Sequence, residues 1–509
     1  MTLLTLAPRP PAVDAPRTPR AVFVPVVVAA LALLVYGLVG WARGWPLGVD
    51  SSVYRAGAVL LIHGRSPYQA NDLGYLHLHF TYPPSAALLF APLAAVPAQL
   101  AWAFIAAASV LALAVVIRLA VAAVPYWRFP AAGSTVALTV ALLCLVPVWR
   151  TIALGQVNIL LMAMVTLDVL AVTARGSRWG GLLTGVAAAV KLVPLIFIPY
   201  LFLTGKRAAA VRALAVFAGL QALTLAVAPR DAAYWTSYMF QTNRVGSAQQ
   251  PYNQSLDGLF TRLTALSPWA PYAAWVVGAL LAVPAVALML RYHRRGQQLS
   301  ALCVTACYGL LLAPVSWLPD WVWMAPVVVA LLSWLQGRAA GRRRWAAAAV
   351  TSFVAVFAST YSVPIGQQSR SIWLVALSDP YVLTTLAIAA VLAWHMVRRL
   401  RQELEVAGRD MGDDPVVGGT GAGNGDSDIS VGDLLADLVR RAGGKPKGSL
   451  GGHERDVHQR GCRVEAGGER ARRDGRDQGG GPQAGRDDQD ASRRDADLPS
   501  QAGQRELRR

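Results

Sequence analysis

Carboxylate side chains are so scarce in residues 1–402 that every candidate acid or base can be named individually. This stretch contains no glutamate and only eight aspartates. Two of them, Asp14 and Asp168, lie in the N-terminal tail and inside an apolar run. The others lie in polar segments between apolar runs and are Asp50, Asp72, Asp231, Asp257, Asp320 and Asp379. A general base or an acidic metal ligand in this part of the chain would come from this small set.

Asp50 is the most prominent of these aspartates because it directly follows the first apolar run. Residues 53–62 read as an apolar helix that contains Tyr54 and Arg55. One interpretation is structural, since a carboxylate at a helix start can cap the helix and is stabilised by its dipole. The other is catalytic, since a carboxylate at the bilayer surface could act on a lipid-carried head group. We predict that Asp50 is catalytic and that Tyr54 and Arg55 contact substrate.

Two cations fall where a phosphate could be bound. Lys191, one of only two lysines before residue 403, sits deep in an apolar run. An isolated lysine at such a position is a candidate functional residue, although it could instead extend to the membrane interface. Arg150 borders the predicted outer face and could pair with a phosphate or act as an interfacial anchor.

Polar residues near the predicted helix ends complete the candidate substrate-binding set. Amide side chains both donate and accept hydrogen bonds, which suits sugar hydroxyls, although each could equally cap a helix or bridge two helices. The polar residues are Tyr82, Gln156, Asn158, Asn253, Gln254 and Asp320. Lys191, Arg150, Tyr54 and Arg55 complete the predicted substrate-binding set.

The sequence does not predict a metal centre or a nucleotide site. His63, His77 and His79 share one polar segment, but no cysteine or acidic cluster completes a ligand set, so a solvated surface role is the simpler interpretation. The four cysteines show neither a disulfide framework nor zinc-binding spacing. Neither a Walker motif nor a G-x-G-x-x-G fingerprint is present, so neither ATP nor a nucleotide sugar has support as a substrate.

The elements that position these residues are predicted to be membrane-spanning helices. The 509-residue chain is 55% hydrophobic, with a mean hydropathy of +0.41 and apolar runs near 20 residues long. A run of about 20 apolar residues crosses the hydrocarbon core as a helix, whereas the ten-residue alternation of barrel strands is absent. We predict an all-α polytopic membrane protein with about 12 transmembrane or re-entrant helices.

The distribution of basic residues predicts the orientation. Residues 1–402 carry 29 basic and 8 acidic residues, whereas residues 403–509 carry 18 and 21. Placing the basic loops in the cytoplasm puts both termini inside and the candidate residues outside. The basic excess indicates the membrane surface rather than nucleic acid, because no basic stripe is interleaved with exposed aromatics on a soluble domain.

One apolar run needs a break to keep this orientation. Residues 179–204 have arginines before them and Lys206, Arg207 and Arg212 after them, so both ends look cytoplasmic. Two short helices joined near Lys191 would keep the alternation, and would direct that lysine toward an outer pocket.

Three regions follow from composition. Residues 1–20 are predicted to be a cytoplasmic tail and residues 21–402 the membrane domain. Residues 403–509 are rich in Gly, Asp, Arg and Gln and cannot bury enough apolar surface to offset ordering entropy, so a disordered cytoplasmic tail is predicted.

Six motifs in one order resemble a known family. They are G-V-D-S-S-V-Y-R-A from 48, H-G-R-S-P-Y from 63, F-T-Y-P-P from 80, G-Q-V-N from 155, A-A-A-V-K-L-V-P from 187 and N-Q-S-L-D-G-L from 253. Over about residues 22–400 the chain resembles the actinobacterial polyprenol-phosphate-mannose-dependent α-1,2-mannosyltransferases, glycosyltransferase family 87.

The resemblance implies a GT-C membrane fold in the plasma membrane, with the active site on the extracytoplasmic side. It implies polyprenyl-phosphate-mannose as donor, a mannosylated glycolipid as acceptor, and Asp50 as the base. One position departs from the family pattern. Relatives typically carry His-His after a Ser-Trp pair, whereas Ser316-Trp317 is followed here by Leu318-Pro319-Asp320. Any role of that histidine is therefore vacant or altered in this chain.

The resemblance further implies a β-linked donor and an α-linked product, and this change of configuration requires a single inverting displacement. Asp50 would deprotonate the acceptor hydroxyl, and Lys191, with Arg55 or Arg150, would stabilise charge on the departing phosphate. No cofactor is predicted; a metal is not required because a monophosphate carries less charge than a diphosphate, but a divalent cation stays an open alternative.

Two non-enzymatic classes remain as alternatives. A transporter or lipid flippase would also have many helices and a broken helical pair, although no internal repeat is evident. A non-catalytic scaffold for envelope synthesis is the third interpretation.

Overall fold

The fold of this chain is helical, as the sequence predicts. The structure is a computed structural model that describes residues 20–241, 244–264, 266–359 and 378–412. Its α-helices are α1 (Val24–Arg43), α2 (Val49–Ile62), α3 (Pro84–Leu89), α4 (Ala98–Ala123), α5 (Ala131–Leu142), α6 (Val146–Leu154), α7 (Asn158–Leu167), α8 (Leu182–Val190), α9 (Phe197–Leu203), α10 (Arg207–Val227), α11 (Ala233–Thr236), α12 (Leu256–Leu263), α13 (Ala270–Arg294), α14 (Gln298–Leu312), α15 (Met324–Gln336), α16 (Ala340–Ala358) and α17 (Pro380–Gly412). Within these ranges β pairing is limited to two isolated bridges.

Several helices are long and apolar enough to cross a bilayer. Within the described residues five meet this criterion: α1, α4, α10, α13 and the continuous segment Leu318–Gln336 that contains α15. The bent pair of α5 and α6 would make a sixth, and shorter apolar helices occupy Asn158–Thr173, Val193–Leu203, Gln298–Leu312 and Pro380–His395. The all-α membrane class is confirmed, and the total of about 12 spans stays a prediction.

The centre of the fold is α4, which contacts α1, α2, α5, α7 and α15. Small residues let α1 approach it closely, because a Cβ added at Gly37 would lie only 2.3 Å from the Cβ of Ala103. Membrane helices pack in this way through small residues that bring two backbones together. The site described below is assembled around the same helix.

The predicted break near Lys191 is confirmed. Helix α8 ends at Val190, Lys191 is extended at φ −145° and ψ 140°, and a 3₁₀ turn leads into α9. The start of α8 is fixed by Asp168, whose carboxylate accepts hydrogen bonds from the backbone N–H groups of Gly181 at 2.7 Å and Thr184 at 2.8 Å. Asp168 therefore connects the end of α7 to the start of α8.

The apolar stretch before Arg150 is not one straight helix. Helices α5 and α6 meet at 74° across a break at 143–145. Pro147 near the start of α6 lacks a backbone donor and restricts the residue before it, which favours a new helix start there. Arg150 and Thr151 therefore lie within α6 and not in a loop.

Two predicted tails lie mostly outside the described residues. Residues 1–19 and 413–509 are among those that the structure does not describe, as are residues 360–377 of the last predicted outer loop. The boundary predicted at 403 falls inside α17, which continues to Gly412.

Candidate active site

The candidate site is built where four separate segments meet. They are the start of α2, the turn at 155–158 before α7, the break at Lys191, and the 3₁₀ segment Leu318–Trp323. Each segment ends or begins a helix, so backbone polar groups and short side chains are concentrated there. The four contribute Asp50, Gln156, Asn158, Lys191 and Asp320.

Lys191 and Asp320 form the charged centre of the site. The Lys191 Nζ donates to Asp320 Oδ1 at 2.5 Å and to Asn158 Oδ1 at 3.0 Å. The Asn158 Nδ2 donates to Asp320 Oδ1 at 2.9 Å and to the Pro319 carbonyl at 3.0 Å. Asp320 Oδ2 accepts from the backbone N–H of Trp317 at 2.8 Å, which fixes the second carboxylate oxygen. The buried Asp320 carboxylate thus contacts the Lys191 ammonium, the Asn158 amide and the Trp317 backbone N–H at the start of the 3₁₀ segment.

Gln156 connects this centre to Asp50. Its Oε1 accepts from Asn158 Nδ2 at 2.5 Å, and its side chain also hydrogen-bonds the Asp50 carboxylate. Because the Gln156 carbonyl oxygen is engaged by Asn158, its amide nitrogen is the group that donates to Asp50. A continuous chain of hydrogen bonds therefore leads from Asp50 to Lys191.

The environment of Asp50 makes it a stronger base than an ordinary aspartate. Burial raises the pKa of its carboxyl to about 6, against the opposing effects of the Gln156 hydrogen bond and the Lys191 charge, while Asp320 adds to the increase. Asp50 is the second residue of α2, and the cap position is occupied by Gly48. The interpretation of Asp50 as the helix cap is therefore wrong.

Two glycines let the start of α2 approach the 155–158 turn. Gly48 and Gly155 have φ of 72° and 68°, a conformation that favours glycine. A Cβ at Gly48 would lie 2.2 Å from Ser51 Oγ, and one at Gly155 would lie 2.6 Å from the same atom. Both backbones also converge on the ring of Trp102 from α4. This close packing brings Asp50 to Gln156.

Two tyrosines stand beside the charged groups. The hydroxyls of Tyr54 and Tyr82 are 2.7 Å apart, and Tyr82 lies within electrostatic range of Lys191, Asp50 and Asp320. Burial raises the pKa of Tyr82 to about 12, so this hydroxyl stays protonated at neutral pH and can donate a hydrogen bond. The structure thus brings both predicted tyrosines to the site.

A cavity opens next to the charged centre. Three of its lining residues are polar, namely Asn158, Lys191 and Asp320, and the others are apolar. The apolar lining residues are Leu161, Met162, Val165, Val193, Pro194, Leu310, Val322 and Trp323. A cation in the lining of a mostly apolar cavity suits a ligand with a phosphate head and a hydrocarbon chain.

The structure does not place the two predicted arginines in this centre. Arg55 Nε donates to the Val96 carbonyl at 2.6 Å, which ties α2 to the segment before α4. Arg150 lies on α6, with its guanidinium over the rings of Trp149 and Tyr252 at 5.3 and 5.5 Å. Neither arginine hydrogen-bonds Asp50, Lys191 or Asp320 in the described part of the chain.

Asn253 and Gln254 have their amide groups occupied by the protein itself. Asn253 is fully buried, and its Oδ1 accepts from the Ser316 backbone N–H at 2.9 Å. The Gln254 Nε2 donates to Ser378 O at 2.6 Å, and its Oε1 accepts from the Tyr381 backbone N–H at 3.1 Å. These amides bridge segments of the fold, which was the alternative to sugar binding.

Sequence reasoning missed one buried ion pair. Arg262 on α12 pairs with Asp379 just before α17, with Nε 2.9 Å from Oδ2. The same guanidinium also donates to the carbonyls of Gln250 and Asn253 at 2.8 Å each. Asp379 was among the named aspartates, but a partner 117 residues away leaves no local pattern.

Two of the other aspartates, Asp72 and Asp231, are not part of this hydrogen-bonded centre. Asp72 is exposed, and Asp231 accepts a hydrogen bond from Ser66 at 2.6 Å. Within the described ranges no three His, Cys, Asp or Glu side chains form a group that could hold a metal ion.

Comparison with known proteins finds similarity to one family of enzymes. The model of glycosyltransferase family 87 matches residues 80–314. A polyprenol-phosphate-mannose-dependent alpha-(1-2)-phosphatidylinositol mannoside mannosyltransferase of Mycobacterium tuberculosis is 33% identical over 73% of this chain and 90% of its own length. The protein of the same name from Mycolicibacterium smegmatis is 32% identical over 58% of this chain and 73% of its own length.

A further relative differs in its acceptor. A phosphatidylinositol pentamannoside mannosyltransferase of Mycobacterium tuberculosis is 31% identical over 71% of this chain and 85% of its own length. No solved structure matches the chain. These similarities identify an enzyme rather than a transporter or a scaffold, and the chain belongs to glycosyltransferase family 87.

Proposed function

We propose that this chain transfers mannose from polyprenyl-phosphate-mannose to a phosphatidylinositol mannoside or a related mannosylated glycolipid. The names of the relatives support this donor and this class of acceptor. The observation that carries the proposal is the hydrogen-bond chain through Gln156 and Asn158 that joins Asp50 to Lys191. It holds a base and a phosphate-binding cation in one cluster.

Asp50 acts as the general base. Its carboxylate removes the proton from the acceptor hydroxyl as the hydroxyl oxygen attacks the anomeric carbon of mannose. The bond from that carbon to the phosphate oxygen breaks on the opposite face, so the configuration inverts in one step. General base catalysis of this kind contributes roughly 10²–10⁴-fold to the rate.

Lys191 stabilises the leaving group. The lipid phosphate departs with the bonding electron pair, and the ammonium in the lining of the cavity compensates the growing negative charge. The first part of the polyprenyl chain would pack against the apolar cavity residues of α7, α14 and the turn at Val193–Ile196. The hydroxyl of Tyr82, which is within electrostatic range of Asp50 and Lys191, would donate a hydrogen bond to the substrate.

The reaction is proposed to need no cofactor and no metal. A lipid monophosphate leaves with less charge than a nucleoside diphosphate, and one lysine with its neighbouring amides offsets that charge. Transfer in the presence of excess EDTA should therefore equal transfer with added Mg²⁺ or Mn²⁺. Loss of transfer in EDTA and its recovery with one of these ions would contradict this part of the proposal.

The catalytic unit is proposed to be residues 21–402 in the plasma membrane. In the proposed topology, with about 12 transmembrane or re-entrant helices and both termini in the cytoplasm, α2 and the other site segments lie outside the cytoplasm. Cysteine labelling tests this topology, because a cysteine introduced at Asp72 should react with an impermeant maleimide in intact cells.

An in vitro assay with purified protein tests the chemistry. Polyprenyl-phosphate-mannose and a phosphatidylinositol mannoside are supplied, and the linkage and anomeric configuration of the product are determined. Asp50→Asn should abolish transfer while the protein still folds, because the amide cannot accept the proton. Asp72→Asn is the matched control, since Asp72 is an exposed aspartate of the same outer segment.

Two results would reject the proposal. Near wild-type turnover of Asp50→Asn would show that Asp50 is not the general base. A β-linked product would show that the reaction does not invert the configuration. Failure of the wild-type protein to use the mannosyl donor, together with transfer from another polyprenyl-phosphate sugar, would change the sugar but leave the role of Asp50 in place.

A further inference from the structure

Arg150 is a cation whose charge is not neutralised within the described residues. Its Nε is buried and has no hydrogen-bond partner there, and neither of the two ion pairs in the same ranges includes it. A buried charged donor without an acceptor is unfavourable, so such groups are normally paired. An unpaired guanidinium in a membrane enzyme therefore points to an anionic ligand.

The surroundings of Arg150 supply further binding groups. The rings of Trp149 and Tyr252 lie against the guanidinium, and they are 38% and 42% exposed, so a ligand can reach them. The hydroxyl of Tyr381 lies within electrostatic range of Arg150. That hydroxyl is also buried without a hydrogen-bond partner in the described part of the protein. The Arg150 guanidinium thus lies beside two accessible aromatic rings, and a second unsatisfied donor, the Tyr381 hydroxyl, lies within its electrostatic range.

This group of residues is attached to the active site on both sides. Thr151, next to Arg150 on α6, donates its hydroxyl to the Pro319 carbonyl at 3.0 Å. The Tyr252 carbonyl accepts from the Leu318 backbone N–H at 3.1 Å. Arg150 and Tyr252 therefore flank the short segment that carries Asp320. A ligand bound at Arg150 would lie next to the reacting groups but would not contact Lys191.

The chemistry of these groups selects the class of ligand. A guanidinium and a phenol hydroxyl can donate together to two oxygens of one phosphate, and exposed Trp and Tyr rings pack against sugar rings. The donor phosphate already has a cation in Lys191. The second phosphate in the proposed reaction is the phosphodiester of the acceptor lipid.

We propose that Arg150, with Tyr381, Trp149 and Tyr252, binds the phosphodiester of the acceptor glycolipid and its adjoining ring. This inference rests on the proposed function, because it takes the acceptor to be a phosphoinositide. It assigns the two cations to two different phosphates, with Lys191 serving the donor and Arg150 serving the acceptor. The enzyme would then select anionic glycolipids over neutral mannosides.

Kinetics with two acceptors test the assignment. One acceptor is a phosphatidylinositol mannoside, and the other is an alkyl α-mannoside without phosphate. Arg150→Gln should raise the KM for the phosphoinositide acceptor about tenfold or more, the loss expected for one charge-assisted pair. The KM for the alkyl mannoside and the KM for the donor should stay within about twofold of wild type. Arg150→Lys keeps the charge but not the fork geometry. Its KM for the phosphoinositide acceptor should lie between those of wild type and Arg150→Gln.

Controls separate this effect from general damage and from bulk lipid. Arg230→Gln removes the same charge from an exposed outer position and should change neither KM. Tyr381→Phe should raise only the KM for the phosphoinositide acceptor. Phosphatidylglycerol and inorganic phosphate, each added in excess, should inhibit wild type weakly, because neither carries the mannosyl-inositol ring that packs on the aromatic faces.

The contrary outcomes are distinct from failure of the proposed function. Equal increases in KM for both acceptors, or an increase for the donor alone, would overturn the acceptor assignment. Strong inhibition by phosphatidylglycerol would identify a general anionic-lipid site instead. If the wild-type protein transferred no mannose, native mass spectrometry of bound phosphatidylinositol mannoside would still test whether Arg150 binds this lipid. Binding should weaken in Arg150→Gln and not in Arg230→Gln, and equal binding in both variants would reject the inference.

Discussion

The Lys191 ammonium and the Asp320 carboxylate form an ion pair with Nζ and Oδ1 2.5 Å apart, between segments separated by 129 residues. Asp320 is the more buried partner, with 5% of its side chain exposed against 20% for Lys191. In the free enzyme this carboxylate occupies one of the positions around Nζ that a donor phosphate would use. Under the proposed function, the donor phosphate would compete with Asp320 for the Lys191 ammonium.

The first prediction concerns this competition. Asp320→Asn keeps the size of the side chain and one acceptor oxygen but removes the negative charge beside Lys191. We expect the KM for polyprenyl-phosphate-mannose to fall about three- to tenfold, a modest change in one charge interaction. Steady-state kinetics with varied donor and saturating acceptor measure it. A raised donor KM would mean that Asp320 orients Lys191 for the phosphate instead of competing with it.

The second prediction concerns pH. Burial raises the pKa of the Asp50 carboxyl to about 6 from an ordinary value of 3.8. The base works when deprotonated, so kcat/KM should be flat above pH 7 and fall about tenfold for each pH unit below 6. A rate profile from pH 4.5 to 8.5 measures this acid limb. A profile that stays flat down to pH 4.5 would show that the catalytic base is not this buried carboxyl.

The same shift predicts the sign of a stability change. A raised folded-state pKa means that the native protein holds this proton more tightly, so the group contributes less stability as pH rises from 4 to 6. At pH 7 the ionised, half-buried Asp50 is unfavourable for folding. Asp50→Asn should therefore be at least as thermally stable as wild type at pH 7, and a large drop in Tm would contradict the assigned environment.

The third prediction concerns the opposite effects of Lys191 and Asp320 on the pKa of Asp50. The charge of Lys191 lowers the pKa of Asp50, and the charge of Asp320 raises it. Lys191→Met should move the acid limb of the rate profile to higher pH, and Asp320→Asn should move it to lower pH. Both variants are measured against wild type at equal ionic strength. Shifts of the same sign would show that the three groups do not share one electrostatic environment.

The sequence located the centre of the site because its residues stand out locally. Asp50 and Lys191 are isolated charges in apolar surroundings, and such charges are costly enough to indicate function without any knowledge of packing. The break at Lys191 was also predictable, because loop charges on both sides of one apolar run allow only an even number of crossings. The all-helical class followed from the lengths of the apolar runs.

The roles of the amides could not be predicted in the same way. Asn158 and Asn253 both follow short polar motifs near helix ends, yet Asn158 contacts Lys191 whereas Asn253 is fully buried and holds the Ser316 backbone. The difference depends on partners at 33 and 63 residues' distance. Arg55 likewise points to the Val96 carbonyl, which no local pattern indicates. Long-range pairing of this kind is set by the tertiary packing and not by sequence spacing.

The fourth prediction concerns the amide that was expected to bind sugar. Gln254 connects the Pro251 carbonyl, the Ser378 carbonyl and the Tyr381 backbone N–H. Gln254→Ala should lower the Tm and leave the KM for the alkyl α-mannoside acceptor within about twofold, because the hydrogen bonds of this side chain all stay inside the protein. Thermal unfolding and acceptor kinetics of one preparation measure both quantities. An increased acceptor KM with an unchanged Tm would restore the sugar-binding role.

The last prediction concerns the buried pair of Arg262 and Asp379. Removing one partner of a buried ion pair leaves an uncompensated charge and typically costs about 3–5 kcal/mol. Arg262→Met should therefore lower the Tm strongly, because it also leaves the Gln250 and Asn253 carbonyls without their donor. Arg295→Met is the matched control, since Arg295 is exposed at the end of α13 and should change little.

A double variant separates the cost of the unpaired charge from the value of the pair. Arg262→Met combined with Asp379→Leu removes both charges and should recover most of the Tm lost in Arg262→Met alone. Thermal unfolding in detergent micelles compares the four proteins. If the double variant is as unstable as the single one, the carbonyl contacts of Arg262 and not its charge pairing hold α12 against the start of α17. If Arg262→Met has the Tm of wild type, the Arg262–Asp379 pair does not stabilise the packing of α12 against the start of α17.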